Sequence, residues 1–275
     1  MEHRDTKVKV GLAKRLGRAF LRLLFSLLLV EQAACGNPSV EHPEADKVVL
    51  LHGLGRTDLS MLRMENALKG RGYEVVNVSY PSTQYSIEQL AREELGPAIE
   101  ACCSEPGGKV HFVTHSMGGI VLRYYLENHA TDSLGRVVML SPPNQGSEVA
   151  DWVAENPILE TILGPWPQEL GTGPESVPGQ LGPVDFELGI IAGNKTLNPL
   201  FSRLIPGADD GKVAVEATKV EGMTDFLVVP RSHTYIMMSD DVIAQVLHFL
   251  EHGEFRHADT EADSADSGES APTSD

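Results

Sequence analysis

Residues 110–125 read VHFVTHSMGGIVLRYY, and the fold turns on how this stretch is read. Val110 and Phe112, with the residues between and after them, form a short apolar run of strand length. Met117 to Asn128 has helical spacing, with Ile120, Val121, Tyr124 and Tyr125 on one face. Ser116 falls between the two, on a turn flanked by Gly118 and Gly119, where a side chain would collide as strand folds back against helix. Such a serine is held out above a sheet at the start of a helix, with the next backbone N–H free to donate. The pattern matches the nucleophile elbow G-x-S-x-G with one exception, Thr114 in place of the first glycine. A serine before a helix can also be a simple N-cap, so the remainder of the chain has to supply the context.

Upstream, Val48-Val49-Leu50-Leu51 is a continuous apolar run, hence a strand buried on both faces, and it leads straight into His52-Gly53-Leu54-Gly55-Arg56. Glycines after a central strand leave backbone N–H groups close to whatever lies above the sheet. Residues 62–68 read as a helix with Ser60 as its cap, 73–80 as a strand stopped by Pro81, and 86–101 as an amphipathic helix. Downstream of the elbow, strands are expected at 137–140, 188–192 and 226–230, and a closing helix at 240–252. Apolar strands alternating with helices define an α/β fold with a mostly parallel central sheet and helices on both faces. Function then belongs at the carboxyl ends of the strands, where Ser116 and His52-Gly53 both fall.

The rhythm breaks from Ser141. The segment 144–185 is an expected lid-like insertion after the fifth core strand, rich in Pro and Gly and carrying Trp152, Ile158, Leu159, Ile162, Leu163 and Trp166. Trp152, Ile162 and Trp166 are the expected substrate-binding residues, and an insertion packed on the surface without a role is the alternative. The hydrolase domain as a whole is expected over 44–252.

The two ends differ in composition from this middle. Residues 1–35 carry Lys7, Lys9, Lys14, Arg15 and Arg18, then a short apolar run from Leu23 to Val30, then Ala33-Ala34-Cys35-Gly36. That order is an export signal, too short to span a bilayer. Lipidation of Cys35, simple secretion and an uncleaved anchor are the three readings, so the protein is expected to be periplasmic or membrane-attached, otherwise secreted. Residues 258–275 hold six acids and no Lys or Arg, which predicts a disordered, solvated tail. The formal charge of −17 argues against a nucleic-acid surface and against a broad attraction to anionic lipid. Cys102 and Cys103 are adjacent and could be joined only through a strained ring, so they are expected to close a helix, one buried and one exposed. No residues show metal-ligand spacing, and neither metal nor cofactor is expected.

Ser116, an acid after a late strand and a histidine after the final strand make the order of an α/β-hydrolase triad. His233 is the expected base, since it follows the last strand after a turn, and the N–H groups of Leu54 and Met117 are the expected oxyanion donors. Adjacent side chains on an extended loop point to different sides, so Asp209 and Asp210 cannot both face His233. Gly211 lets the chain turn away directly after Asp210, which favours that residue; Glu216 and Asp225 are the alternatives.

HGLGR, VTHSMGG, SPPNQGS, GADDGKVAV and VPRSHTYIM, in this order, resemble the bacterial lipase/esterase branch of the α/β-hydrolases over about residues 48–250. The resemblance implies a serine-dependent carboxylic-ester hydrolase acting on an acyl-ester or lipid substrate, with Ser116, Asp210 and His233 matching the triad and Leu54 and Met117 the oxyanion donors. The same site would serve an acyltransferase, a thioesterase or an amidase, and a non-catalytic binding protein on this fold is the alternative of another class. Thr234-Tyr235 lack the calcium-binding acid that some secreted lipases of this kind carry two positions after the histidine, so no calcium is expected.

Overall fold

The computed structural model describes residues 45–103, 107–129, 133–155, 165–197 and 199–257. The expected export signal, the expected acidic tail, and Ile158, Leu159, Ile162 and Leu163 of the insertion lie outside the described residues. Six strands form one sheet: β1 (Lys47–Leu51), β2 (Glu74–Val78), β3 (Val110–His115), β4 (Leu134–Leu140), β5 (Leu188–Gly193) and β6 (Asp225–Val229). Their spatial order is β2-β1-β3-β4-β5-β6, and every pairing is parallel. The sheet is therefore wholly parallel among the described residues, where a mostly parallel one was expected. The insertion leaves the fourth strand of this sheet, not a fifth, because only three described strands precede β4 in the chain.

Alternation along the strands sends side chains into two cores. Val49, Leu51, Phe112, Met139 and Ile190 pack on one face, with Ile87, Leu90, Leu95, Ile120 and Val121 from the helices that cover it. Val48, Leu50, Val113, Leu140 and Ile191 pack on the other, against Met61, Met64, Leu68, Val242, Val246 and Phe249. This is why the strands read as unbroken apolar runs: both of their faces are buried. Full burial of one such side chain contributes about 1.5–3 kcal/mol.

The helices are α1 (Leu62–Gly70), α2 (Ile87 through Cys103), α3 (Met117–Asn128), α4 (Glu148–Ala154), α5 (Trp166–Glu169), α6 (Val177–Gln180), α7 (Pro199–Ser202) and α8 (Asp240–His252). Ser60 does not cap α1. A 3₁₀ turn, Asp58–Met61, precedes that helix, and the Ser60 hydroxyl donates to the Thr57 carbonyl instead. Ser86 does cap α2, in a reciprocal capping box with Gln89. The middle of α2, Leu90–Leu95, widens into a π turn just ahead of Gly96-Pro97. Proline lacks the N–H that would continue the ladder and its ring crowds the preceding turn, which accounts for the widening. Cys102 and Cys103 end α2 as expected, but both are half-buried and are joined to each other by a disulfide. Packing continues past α8, where Phe255 is buried against Phe249 with ring centroids 4.9 Å apart.

Candidate active site

The carboxyl ends of β1, β3, β4, β5 and β6 converge on one cavity. Ser116 directly follows β3 with φ 54° and ψ −127°, a left-handed conformation that a serine adopts only when its surroundings impose it. Such a residue stores about 1–3 kcal/mol of strain. Close approach on both sides imposes it here. A Cβ on Gly118 would lie 2.8 Å from the carbonyl oxygens of both Leu51 and His52, and one on Gly53 would lie 2.7 Å from His115 Nδ1. The elbow is thus wedged against the end of β1. Thr114, at the place of the usual glycine, is fully buried, and its Oγ1 would sit 3.2 Å from a Cβ on Gly119.

The Ser116 hydroxyl lies 2.9 Å from His233 Nε2, and His233 Nδ1 lies 2.8 Å from Asp210 Oδ2. With Nδ1–H donating to the carboxylate, Nε2 is left to accept from the serine. Asp210 is almost fully buried and its Oδ1 accepts from the backbone N–H groups of Lys212 (3.0 Å) and Val213 (2.9 Å). Burial alone would raise its pKa. The His233 charge and hydrogen bonds from His233, Ser141 and Val213 outweigh this and hold the carboxyl below its ordinary value, hence ionised. Gly211 has φ 97°, so the chain does turn away directly after the acid. Asp209 faces elsewhere, its Oδ1 accepting from Ser202 Oγ at 2.6 Å and Gly211 N–H at 2.7 Å. The two alternative acids are engaged away from His233: Glu216 pairs with Lys219, and Asp225 accepts from the backbone N–H groups of Phe226 and Phe255.

Leu54 lines the cavity beside Ser116, and Met117, as the first residue of α3, has an N–H with no acceptor inside its own helix. The loop carrying Leu54 is pinned by neighbours. Ser82 Oγ accepts from Gly55 N–H at 3.0 Å, the Tyr80 hydroxyl donates to the His52 carbonyl, and the His52 and Tyr80 rings stack with centroids 4.0 Å apart. His115 Nε2 donates to the His233 carbonyl at 3.0 Å, so the residue before the serine holds the backbone of His233.

One residue that the sequence reading passed over belongs to this arrangement. Ser141, fully buried at the end of β4, is the second non-glycine residue with positive φ among the described residues (47°). Its Oγ accepts from Gly193 N–H at 3.2 Å and hydrogen-bonds the Asp210 carboxylate. The only signal available was its position at the start of the loop 141–147.

The cavity measures about 250 Å³, and its apolar wall includes Val149, Val153, Trp166, Leu170 and Phe201. Trp166 lines the cavity. Trp152 does not: it is 42% exposed and does not line the cavity, because Val149, Ala150 and Val153 form the inward face of α4 and Trp152 projects off it. Ile162 lies outside the described residues. A larger hollow of about 340 Å³ near Arg123 and Gly182 contains none of the Ser116, His233 and Asp210 side chains. Among the described residues no group of three or more His, Cys, Asp or Glu is placed to hold a metal ion.

Burial also sets a pH response. Desolvation pushes His115 well below the ordinary histidine value and His52 below it, so both are neutral in the folded protein. As pH falls beneath about 6.5, the unfolded chain takes up these protons first. Stability is therefore complete above that pH and is lost as pH drops towards the lower folded values, by up to about 1.4 kcal/mol per pH unit per histidine. Urea unfolding at pH 7.5, 6.5 and 5.5 should show falling stability, with a shallower slope for His115→Gln. Equal stability at all three values would contradict the assignment of neutral, buried rings.

The chain belongs to the alpha/beta hydrolase family, whose sequence model matches residues 48–259. Its fold is similar to that of the Bacillus licheniformis lipase BlEst2 in mature form, with a TM-score of 0.61 and 21% identity over 77% of this chain and 95% of that one. It is also similar to the phospholipase PlaB of Legionella pneumophila (TM-score 0.54, 16% identity, 83% of this chain and 65% of that one). A third is the Exiguobacterium antarcticum esterase EaEST (TM-score 0.52, 15% identity, 76% of this chain and 93% of that one). No curated protein sequence matches.

Proposed function

We propose that the protein is a serine-dependent hydrolase of carboxylic esters. One observation carries this reading: Ser116 Oγ, His233 and Asp210 form a continuous hydrogen-bonded chain, with steps of 2.9 and 2.8 Å, that opens on an apolar cavity. In the first half-reaction His233 Nε2 takes the Ser116 proton as Oγ bonds to the acyl carbon, then gives it to the departing alcohol. Water repeats the sequence to release the acid. Asp210 keeps the imidazole in the required tautomer and stabilises its cation. The N–H groups of Leu54 and Met117 meet the oxyanion, each worth about 3–4 kcal/mol in such sites. We also propose export, supported by the basic, apolar and small-residue order of 1–35. No helix among the described residues is long and apolar enough to cross a membrane.

A fluorophosphonate probe should label the wild-type protein on Ser116 and leave Ser116→Ala unlabelled, because only an activated serine reacts. Absence of labelling in the wild type would sink the reading. The apolar wall adds an expectation about acyl chains. Each buried methylene is worth about 0.8 kcal/mol, so burial of about two or three of the methylenes that octanoate adds to acetate should raise kcat/KM on nitrophenyl esters roughly ten- to a hundredfold. A flat or falling series would mean that the wall around Trp166 and Phe201 does not hold the acyl chain.

A further inference from the structure

The cavity carries an asymmetry of charge that ester hydrolysis does not itself require. Two basic side chains line it, Arg56 and Lys212, and among the described residues no Asp or Glu does, although the chain as a whole has a formal charge of −17. The cations arrive independently. Arg56 comes from the loop after β1 that carries Leu54, and Lys212 from the loop after β5 that carries Asp210. Neither forms an ion pair among the described residues. Arg56 uses one guanidinium nitrogen to donate to the Thr234 carbonyl at 3.1 Å, which leaves its other N–H groups for a ligand. Asp210, the acid nearest in sequence to Lys212, is committed to His233 and two backbone N–H groups. Glu148 neighbours the lining residues Ser147 and Val149 in sequence but does not itself line the cavity.

The two charges also feel one another. Desolvation in the cavity wall, and then the Arg56 charge, push the Lys212 ammonium below its ordinary value, against the pull of Asp210. Two like charges brought together repel, and an anion bound between them relieves that repulsion. The acyl chain has its own apolar wall in Val149, Val153, Trp166, Leu170 and Phe201. A charged group on the substrate therefore belongs to the other side of the scissile bond.

We propose that the substrates are acyl esters whose alcohol portion bears an anionic group, a phosphate or a carboxylate, held by Arg56 and Lys212. The inference rests on the hydrolase reading of Ser116. Hydrolysis then breaks the acyl carbon–oxygen bond, water supplies the hydroxyl of the fatty acid and the proton of the alcohol, and an anionic alcohol departs.

The test compares three soluble octanoyl esters with one acyl chain: those of glycerol, glycerol 3-phosphate and glycerate. At low salt, kcat/KM for at least one anionic ester should exceed that of the glycerol ester by about tenfold, and the excess should shrink as salt is raised. The anion that wins distinguishes phosphate from carboxylate. Lys212→Glu should lower the anionic-to-neutral ratio at least about tenfold, because it puts a like charge beside the bound anion. The readout is a ratio within one protein, so any general loss of activity in the variant cancels. Arg56→Lys, which keeps the charge, should retain the preference. A wild-type ratio at or below one, or a ratio unmoved by Lys212→Glu, overturns the inference and leaves ester hydrolysis standing. No turnover of any of the three esters, together with no fluorophosphonate labelling, overturns both.

Discussion

Asp210→Asn is expected to lower kcat about ten-thousandfold while the protein stays folded, the size of effect seen when a triad acid becomes an amide. Asp210 Oδ2 accepts from His233 Nδ1, so the ring proton sits on Nδ1 and Nε2 is free to take the serine proton. An asparagine amide can donate to Nδ1, and the proton then moves to Nε2, where it blocks the transfer. Asparagine can still offer an oxygen to the Lys212 and Val213 N–H groups, so the loop keeps its bonds. Asp209→Asn is the internal control. Its Oδ1 accepts from Ser202 and Gly211, contacts that an amide oxygen reproduces, and kcat should stay within about threefold of wild type. Steady-state kinetics on a nitrophenyl ester, with thermal melts to confirm folding, decides the matter. Reversal of the two results would move the acid by one position; two fully active variants would remove it from this loop.

Gly118→Ala should disturb both the stability of the protein and the position of Ser116. Its Cβ would press to 2.8 Å against two carbonyl oxygens at the end of β1, and backbone cannot swing aside as a flexible side chain can. The elbow and β1 must separate by several tenths of an ångström. We expect a loss of about 3 kcal/mol in stability, the upper part of the usual range for overpacking, or a drop in Tm of about 6–12 °C. Activity should fall about a hundredfold as well, since Ser116 and the Met117 N–H move with the turn. Gly70→Ala, at the end of α1 where an added Cβ meets nothing within 4 Å, should be neutral or slightly stabilising. A Gly118→Ala protein that melts and turns over like wild type would show that the elbow is not wedged against β1.

The framework of this molecule was legible in the sequence because it rests on local pattern. Apolar runs buried on both faces marked β1, β3, β4 and β5, and helical spacing marked α3 and α8. Ser116, His233 and Asp210 could be chosen because chain order after parallel strands places each at the same edge of the sheet. Asp210 was separable from Asp209 by a local rule, the positive φ that Gly211 supplies.

What stayed hidden required distance in the chain to become distance in space. Trp152 looked like a substrate wall by size, but the side of α4 that faces the cavity depends on how that helix is docked, and docking selected Val149 and Val153. The disulfide between Cys102 and Cys103 depends on backbone geometry at the end of α2, which residue identities do not specify. Ser141 shows no local signal, because its hydroxyl acquires meaning only when β5 brings Gly193 alongside it and the following loop brings Asp210. Arg56 and Lys212 are 156 residues apart and unremarkable alone. Sequence periodicity determined the sheet, its helices and the candidate triad, since each depends on residues near one another or on strand order. The tertiary structure alone decided which side chains wall the cavity and which charges it concentrates, since those depend on loops from separate strands meeting at one point above the sheet.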